Sequence, residues 1–169
     1  TGSTKVGRSI MRSSAEHLHK VTLELGGKSP NIVFADARNL DRVAKRVASA
    51  CFYNAGQVCI AGARLLVEEK IRDEFVAKVV DAARATTVAP GWHDASMMGP
   101  LVSSTHFARV KGYVDEAVRD GAEVVVGGGR VDTFERGYFY QPTIVTQVRP
   151  GMTILDEEVF GPVLTVESF

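Results

Sequence analysis

At 169 residues the chain has the size of one ordinary domain, long enough to bury a sizeable apolar core. Its 20 basic and 20 acidic residues cancel, which gives no reason to expect nucleic acid or an anionic membrane surface as a partner. Two cysteines are too few for a disulfide framework and lack zinc-site spacing, so no metal is expected and a reducing compartment, the cytoplasm, is.

Thr1-Gly2-Ser3-Thr4-Lys5-Val6-Gly7-Arg8 places a glycine turn at the start of an expected helix, a natural seat for a phosphate. Gly2, Gly7 and Ser9 also stand at Walker-like positions. Arg8 occupies the place where that motif requires lysine, and no strand precedes it, so a P-loop is set aside. The apolar runs 21–25 and 32–34, bounded by glycine, proline and aspartate, read as strands. Leu40, Val43, Ala44, Val47, Ala48 and Cys51 then recur at helical spacing, with Asn54 and Gly56 ending the helix.

The longest uncharged run, 47–63, is too short and too polar to span a bilayer, and reads as a helix end and a loop buried around Cys59. A strand is expected over 65–67, and Ile71, Phe75, Val79 and Ala83 mark a second amphipathic helix. Ser103 or Ser104 can cap a third helix, with Phe107, Val110, Val114, Ala117 and Val118 on its apolar face and Gly121 closing it. Residues 124–126 read as a buried strand, Gly127-Gly128-Gly129 as a turn, and Pro142 argues for an edge or a break within 138–148. The final run, 164–169, reads as a strand cut off mid-protein, and the chain is expected to be a piece of a longer one. Alternation of strands and helices predicts an α/β layered fold with a largely parallel sheet.

Two cysteines invite opposite readings. Cys51 falls on the apolar face of the first clear helix and reads as packing. Cys59 follows that helix in Gly56-Gln57-Val58-Cys59-Ile60-Ala61-Gly62, a glycine-bounded loop with amides nearby, where a thiolate could act as nucleophile. Glu24, in Leu23-Glu24-Leu25-Gly26-Gly27-Lys28-Ser29-Pro30, stands at a strand end beside apolar neighbours whose burial would favour a general base. A nucleophile and a base are the minimum for covalent catalysis through a thioester. His17, His19, His93 and His106 are scattered and receive no role.

These two stretches resemble, in order and over about eight consecutive positions each, the signature segments of the aldehyde dehydrogenase family, NAD(P)-dependent enzymes that oxidise aldehydes to acids. The resemblance implies Cys59 as nucleophile and Glu24 as the base that activates water, with Val58 and Ile60 shaping the aldehyde pocket. It implies Gly2 and Ser3 at the pyrophosphate of NAD or NADP and Val6 near the adenine. In Glu157-Glu158-Val159-Phe160-Gly161-Pro162-Val163 it implies Glu158 at the nicotinamide ribose and Phe160 against the ring. It further implies that residues 1–27 finish a dinucleotide-binding domain and 28–169 begin the catalytic domain of a homo-oligomer. The family's upstream oxyanion asparagine and most of its cofactor-binding strands have no counterpart here, so these 169 residues alone are not expected to turn over aldehyde. Two other classes stay open: a thiol-dependent acyl transferase or hydrolase, and a non-catalytic binding module retaining the fold.

Overall fold

The computed structural model describes residues 1–169. Helix α1 (Thr4–Ala15) begins where Ser3, in extended backbone, accepts the Val6 N–H with its hydroxyl at 3.4 Å. Strand β1 (Pro30–Val33) leads to α2 (Leu40–Phe52), whose cap Asn39 takes the left-handed conformation that asparagine tolerates and accepts from Arg42 N–H. A 3-10 turn over Tyr53–Gly56 follows, then β2 (Arg64–Val67), α3 (Arg72–Arg84) and α4 (Ser104–Arg119). Ser103 caps α4 by accepting His106 N–H at 3.1 Å, and Gly121 at φ +97 turns the chain after it. Strands β3 (Glu123–Val126) and β4 (Thr143–Thr146), a single turn α5 (Thr153–Asp156) and β5 (Val163–Ser168) complete the chain.

The five strands form one sheet in the order β1-β2-β5-β4-β3. Four run parallel, and β3 alone pairs antiparallel, at the edge beside β4. Every residue of β4 is buried, as are the first four of β5. Apolar burial without alternation is the mark of strands covered on both faces. Buried Thr143 and Thr165 satisfy their hydroxyls on the Gln141 and Ala63 carbonyls, at 2.8 and 3.3 Å. Cys51, Val47, Phe75, Val79, Val110 and Val114 fill the space between helices and sheet.

Several elements differ from the sequence expectation. Residues 21–25 form no strand. Their only backbone pairing is one bridge, from Leu25 to Gly2, so no ladder propagates. Pro142 marks a break rather than an edge, because β4 starts at the next residue and lies inside the sheet. The run 124–126 is the half-exposed edge strand, and Val118 turns 48% of its surface to solvent. The loop after α2 packs against the body, yet Cys59 itself is exposed.

Candidate active site

Parallel pairing decides where the chemistry gathers. Residues 24–28 enter β1, residues 56–62 enter β2, and residues 157–161 enter β5. Since these three strands are neighbours running the same way, their incoming loops meet at one end of the sheet. A cleft of about 290 Å³ lies there, lined by Glu24, Leu25 and Gly26, by Cys59, and by Glu158 and Phe160. The N-terminal turn of α1 (Thr1, Gly2, Ser3) and two side chains of α4, His106 and Arg109, close it.

Cys59 sits at the corner of a tight turn in which Ala61 N–H donates to Val58 C=O at 3.0 Å. Both ends of that turn are pinned. The Gln57 amide donates to the Asn54 and Pro100 carbonyls and accepts from Val102 N–H at 2.9 Å. On the far side Gly62 N–H donates to Ala50 C=O, and its carbonyl accepts from the Asn31 amide at 2.8 Å. Asn54, Ala55 and Gly56 hold positive φ in succession, and a Cβ on Gly56 would run into the Gly161 carbonyl. Backbone this unfavourable persists only where its surroundings fix it. The Cys59 N–H donates to no backbone carbonyl and remains free to meet an oxyanion.

Glu24 is exposed on the cleft wall, without the desolvation expected from its apolar neighbours. Leu23 and Leu25 do face inward, but onto Gly7 of α1, which leaves the alternate side chain outward. Gly2 N–H donates to the Glu24 carbonyl at 3.1 Å and brings the α1 turn alongside. Glu158 lies over the Gly26-Gly27 strip, accepting from Gly27 N–H at 3.2 Å. A Cβ on Gly26 would overlap that carboxylate, which is why the strip is bare backbone.

Three of the nominated residues lie off the cleft. Val6 packs beneath Gly2 with 45% of its surface exposed. Val58 lines a small separate cavity behind Gly27, and Ile60 projects outward, 77% exposed. Two cleft residues escaped the sequence reading. His106 Nε2 lies 2.6 Å from the Phe160 carbonyl, and Arg109 reaches the Glu158 carbonyl at 3.4 Å. Their spacing of three on a helix was the available signal.

The two cysteines diverge as sharply as the sequence suggested. Cys51 is fully buried, and burial pushes its thiol up to about 12, whereas Cys59 stands exposed. Beneath the cleft, the Lys28 ammonium is buried without a hydrogen-bond partner, and burial lowers it from 10.5 to about 8. Below pH 8 the folded and unfolded states are both protonated and the full cost is present. Between pH 8 and 10.5 the folded state has released its proton while the unfolded chain still holds it, so Lys28 makes stability rise with pH across that window. Lys28→Met is therefore expected to stabilise the protein at pH 7 by on the order of 1–3 kcal/mol and to flatten the alkaline rise. Urea denaturation at pH 7 and 9.5 checks both, and a destabilised variant at pH 7 would refute the assignment.

Comparison with known proteins places this geometry in context. A family model described as the aldehyde dehydrogenase family matches residues 1–169. A betaine aldehyde dehydrogenase of Bacillus subtilis is 45% identical over 171 residues, covering 100% of this chain and 35% of that protein. The mitochondrial aldehyde dehydrogenase of Homo sapiens is 43% identical over 170 residues, with 100% and 32% covered. Among solved structures, a Staphylococcus aureus betaine aldehyde dehydrogenase in complex with NAD+ superposes with a TM-score of 0.96 at 38% identity, covering 99% of this chain and 34% of that one. The chain thus spans about a third of the length of the curated relatives it matches.

Proposed function

The chain belongs to the aldehyde dehydrogenase family, and on that basis we propose that the whole protein oxidises an aldehyde to its carboxylic acid with NAD+ or NADP+, through a thioester on Cys59. The observation that carries this is the convergence of Cys59, Glu24, Glu158 and the α1 N-terminus on one cleft. We take Gly27 as the boundary between a dinucleotide-binding part and a catalytic part, supported by Leu23 and Leu25 packing on α1 before it and the five-stranded sheet starting at Pro30 after it.

The cleft suits a dinucleotide on chemical grounds. Gly2 and Ser3 open the N-terminus of a twelve-residue helix, where free N–H groups and the helix dipole favour a pyrophosphate. Val6 offers an apolar edge beside that turn for the adenine. The Glu158 carboxylate, beside the bare Gly26-Gly27 strip, is the right acceptor for ribose hydroxyls, and Phe160 gives a flat apolar surface for the ring. When bound, the nicotinamide supplies the hydride acceptor that turns a thiohemiacetal into a thioester.

This chain's own residues would do the rest. The Cys59 thiolate adds to the aldehyde carbon, forming a C–S bond, and the carbonyl oxygen becomes an oxyanion met by the Cys59 N–H. After oxidation, Glu24 takes a proton from water as its oxygen attacks the thioester carbon. The C–S bond breaks, the acid leaves, and the thiolate is restored. Ile60 presents an apolar surface one residue past the nucleophile for the aldehyde chain, and Val58 supports the turn from behind. A nucleophile that must stay a free thiol suits a reducing compartment, which we take to be the cytoplasm. No helix is long and apolar enough to cross a membrane.

The test is the whole protein with NAD+ or NADP+ and a panel of aldehydes, betaine aldehyde among them, followed by reduced-nicotinamide absorbance and by acid product. Equimolar NAD(P)H and acid is the expected result. Acid or acyl transfer without dinucleotide would point to a thiol acyl transferase or hydrolase, and no product to a binding module; either overturns the proposal.

A further inference from the structure

Glu158 and Phe160 can serve a dinucleotide only if the loop that carries them keeps its shape, and the shape is not one the loop would choose alone. Phe160 holds φ +56, a left-handed conformation that a bulky residue rarely adopts. One face of α4 lies against it, opposite the side on which the loop packs against Gly27 and Gly56. His106, Arg109 and Tyr113 follow one another at i, i+3 and i+7, and each meets a different residue of the loop. His106 Nε2 lies 2.6 Å from the Phe160 carbonyl, and its ring is edge-on to the Phe160 ring at 6.1 Å. Arg109 donates to the Glu158 carbonyl at 3.4 Å and to the Tyr113 hydroxyl at 3.3 Å. The Tyr113 hydroxyl donates to the Glu157 carboxylate at 2.6 Å.

We propose that this face of α4 is a clamp that sets the loop for the dinucleotide, with Tyr113 a positioning residue acting through Glu157. Glu157 has extended backbone (φ −101, ψ 149), so its side chain and that of Glu158 leave opposite sides of the chain. Holding Glu157 out towards Tyr113 therefore turns Glu158 in towards Gly27, where its carboxylate is found. Val159, 2% exposed, roots the loop in the core between Glu158 and Phe160. Packing completes the clamp, because a Cβ on Gly161 would strike the Val110 side chain of the same helix. Burial and the Glu157 bond raise the Tyr113 hydroxyl above its ordinary value, so it remains a donor throughout the neutral range.

The proposal rests on the dehydrogenase reading above, and the experiment separates the two. Tyr113→Phe in the whole protein removes one hydroxyl and leaves the ring packed. Its Kd for NAD+ and NADP+ by calorimetry, and its KM for the same dinucleotide, should rise about 3- to 10-fold, the usual worth of one hydrogen bond. Aldehyde KM and saturated kcat should change less than about twofold. Glu157→Gln, which keeps an acceptor oxygen, should fall between wild type and Glu157→Ala. Tyr113→Phe combined with Glu157→Ala should be no worse than Glu157→Ala alone. An unchanged Kd in Tyr113→Phe, a lower melting temperature with no change in Kd, or strictly additive losses would overturn the clamp while leaving the dehydrogenase reading intact. A wild-type protein that binds neither dinucleotide would overturn both.

Discussion

Replacing Cys59 with alanine should abolish aldehyde-dependent NAD(P)H formation by the whole protein, a loss of about 10⁴-fold or more, with the melting temperature almost unchanged. The side chain is exposed, so its removal opens no cavity; only the bond-forming sulfur is lost. Cys51→Ala should do the reverse. It empties a fully buried site and costs stability while activity persists. Brief alkylation at neutral pH followed by peptide mapping should mark Cys59 first, because the Cys51 thiol is both sequestered and pushed up to about 12. Full activity in the Cys59→Ala protein, or earlier labelling of Cys51, would remove the nucleophile from the scheme.

Glu24→Gln should slow steady-state turnover by about 10²- to 10³-fold yet leave the first turnover of NAD(P)H intact. Glutamine matches the glutamate in shape and holds the same place on the cleft wall, but it cannot take a proton from water. Acyl-enzyme should then accumulate, and rapid-quench mass spectrometry should find the added acyl mass on the Cys59 peptide. Steady-state turnover equal to wild type would show that some other group activates the water. Strict dependence of the wild-type protein on coenzyme A would show that water is not the acceptor.

How much of this was legible beforehand depended on how local the signal was. Helices α2, α3 and α4 were readable because apolar residues recur over three or more turns, and the Ser103 cap and Gly121 exit follow from side-chain chemistry within a few residues. α5 has only four residues, too few for any period to show. Residues 21–25 carry the composition of a strand, but a strand exists only where a neighbour completes its ladder, and that information is not local. The same limit applies to the site. Cys59, Glu24 and Glu158 stood out by their immediate neighbours, whereas His106 and Arg109 matter only because the fold lays α4 across the loop that enters β5. The exposure of Glu24 follows from the direction in which Leu23 and Leu25 face, set by Gly7 of a helix some fifteen residues upstream.

Because the site collects at the entrances of β1, β2 and β5, it has an order of assembly in time. β1 and β2 can pair early, since little more than a helix separates them. β5 must insert between β2 and β4, and its Thr165 pairs with Arg64, 165 − 64 = 101 residues earlier in the chain. Long-range parallel pairings are the slow ones. If β5 inserts last, the Cys59 turn and the Glu24 strip are in place before Glu158 arrives to close the cleft. A ligand that requires the β5 entrance binds only after that last insertion, so it favours the completed sheet by mass action. On the function proposed above, that ligand would be the dinucleotide, so its supply would bear on how much of the protein reaches the completed sheet as well as on how fast the completed protein works.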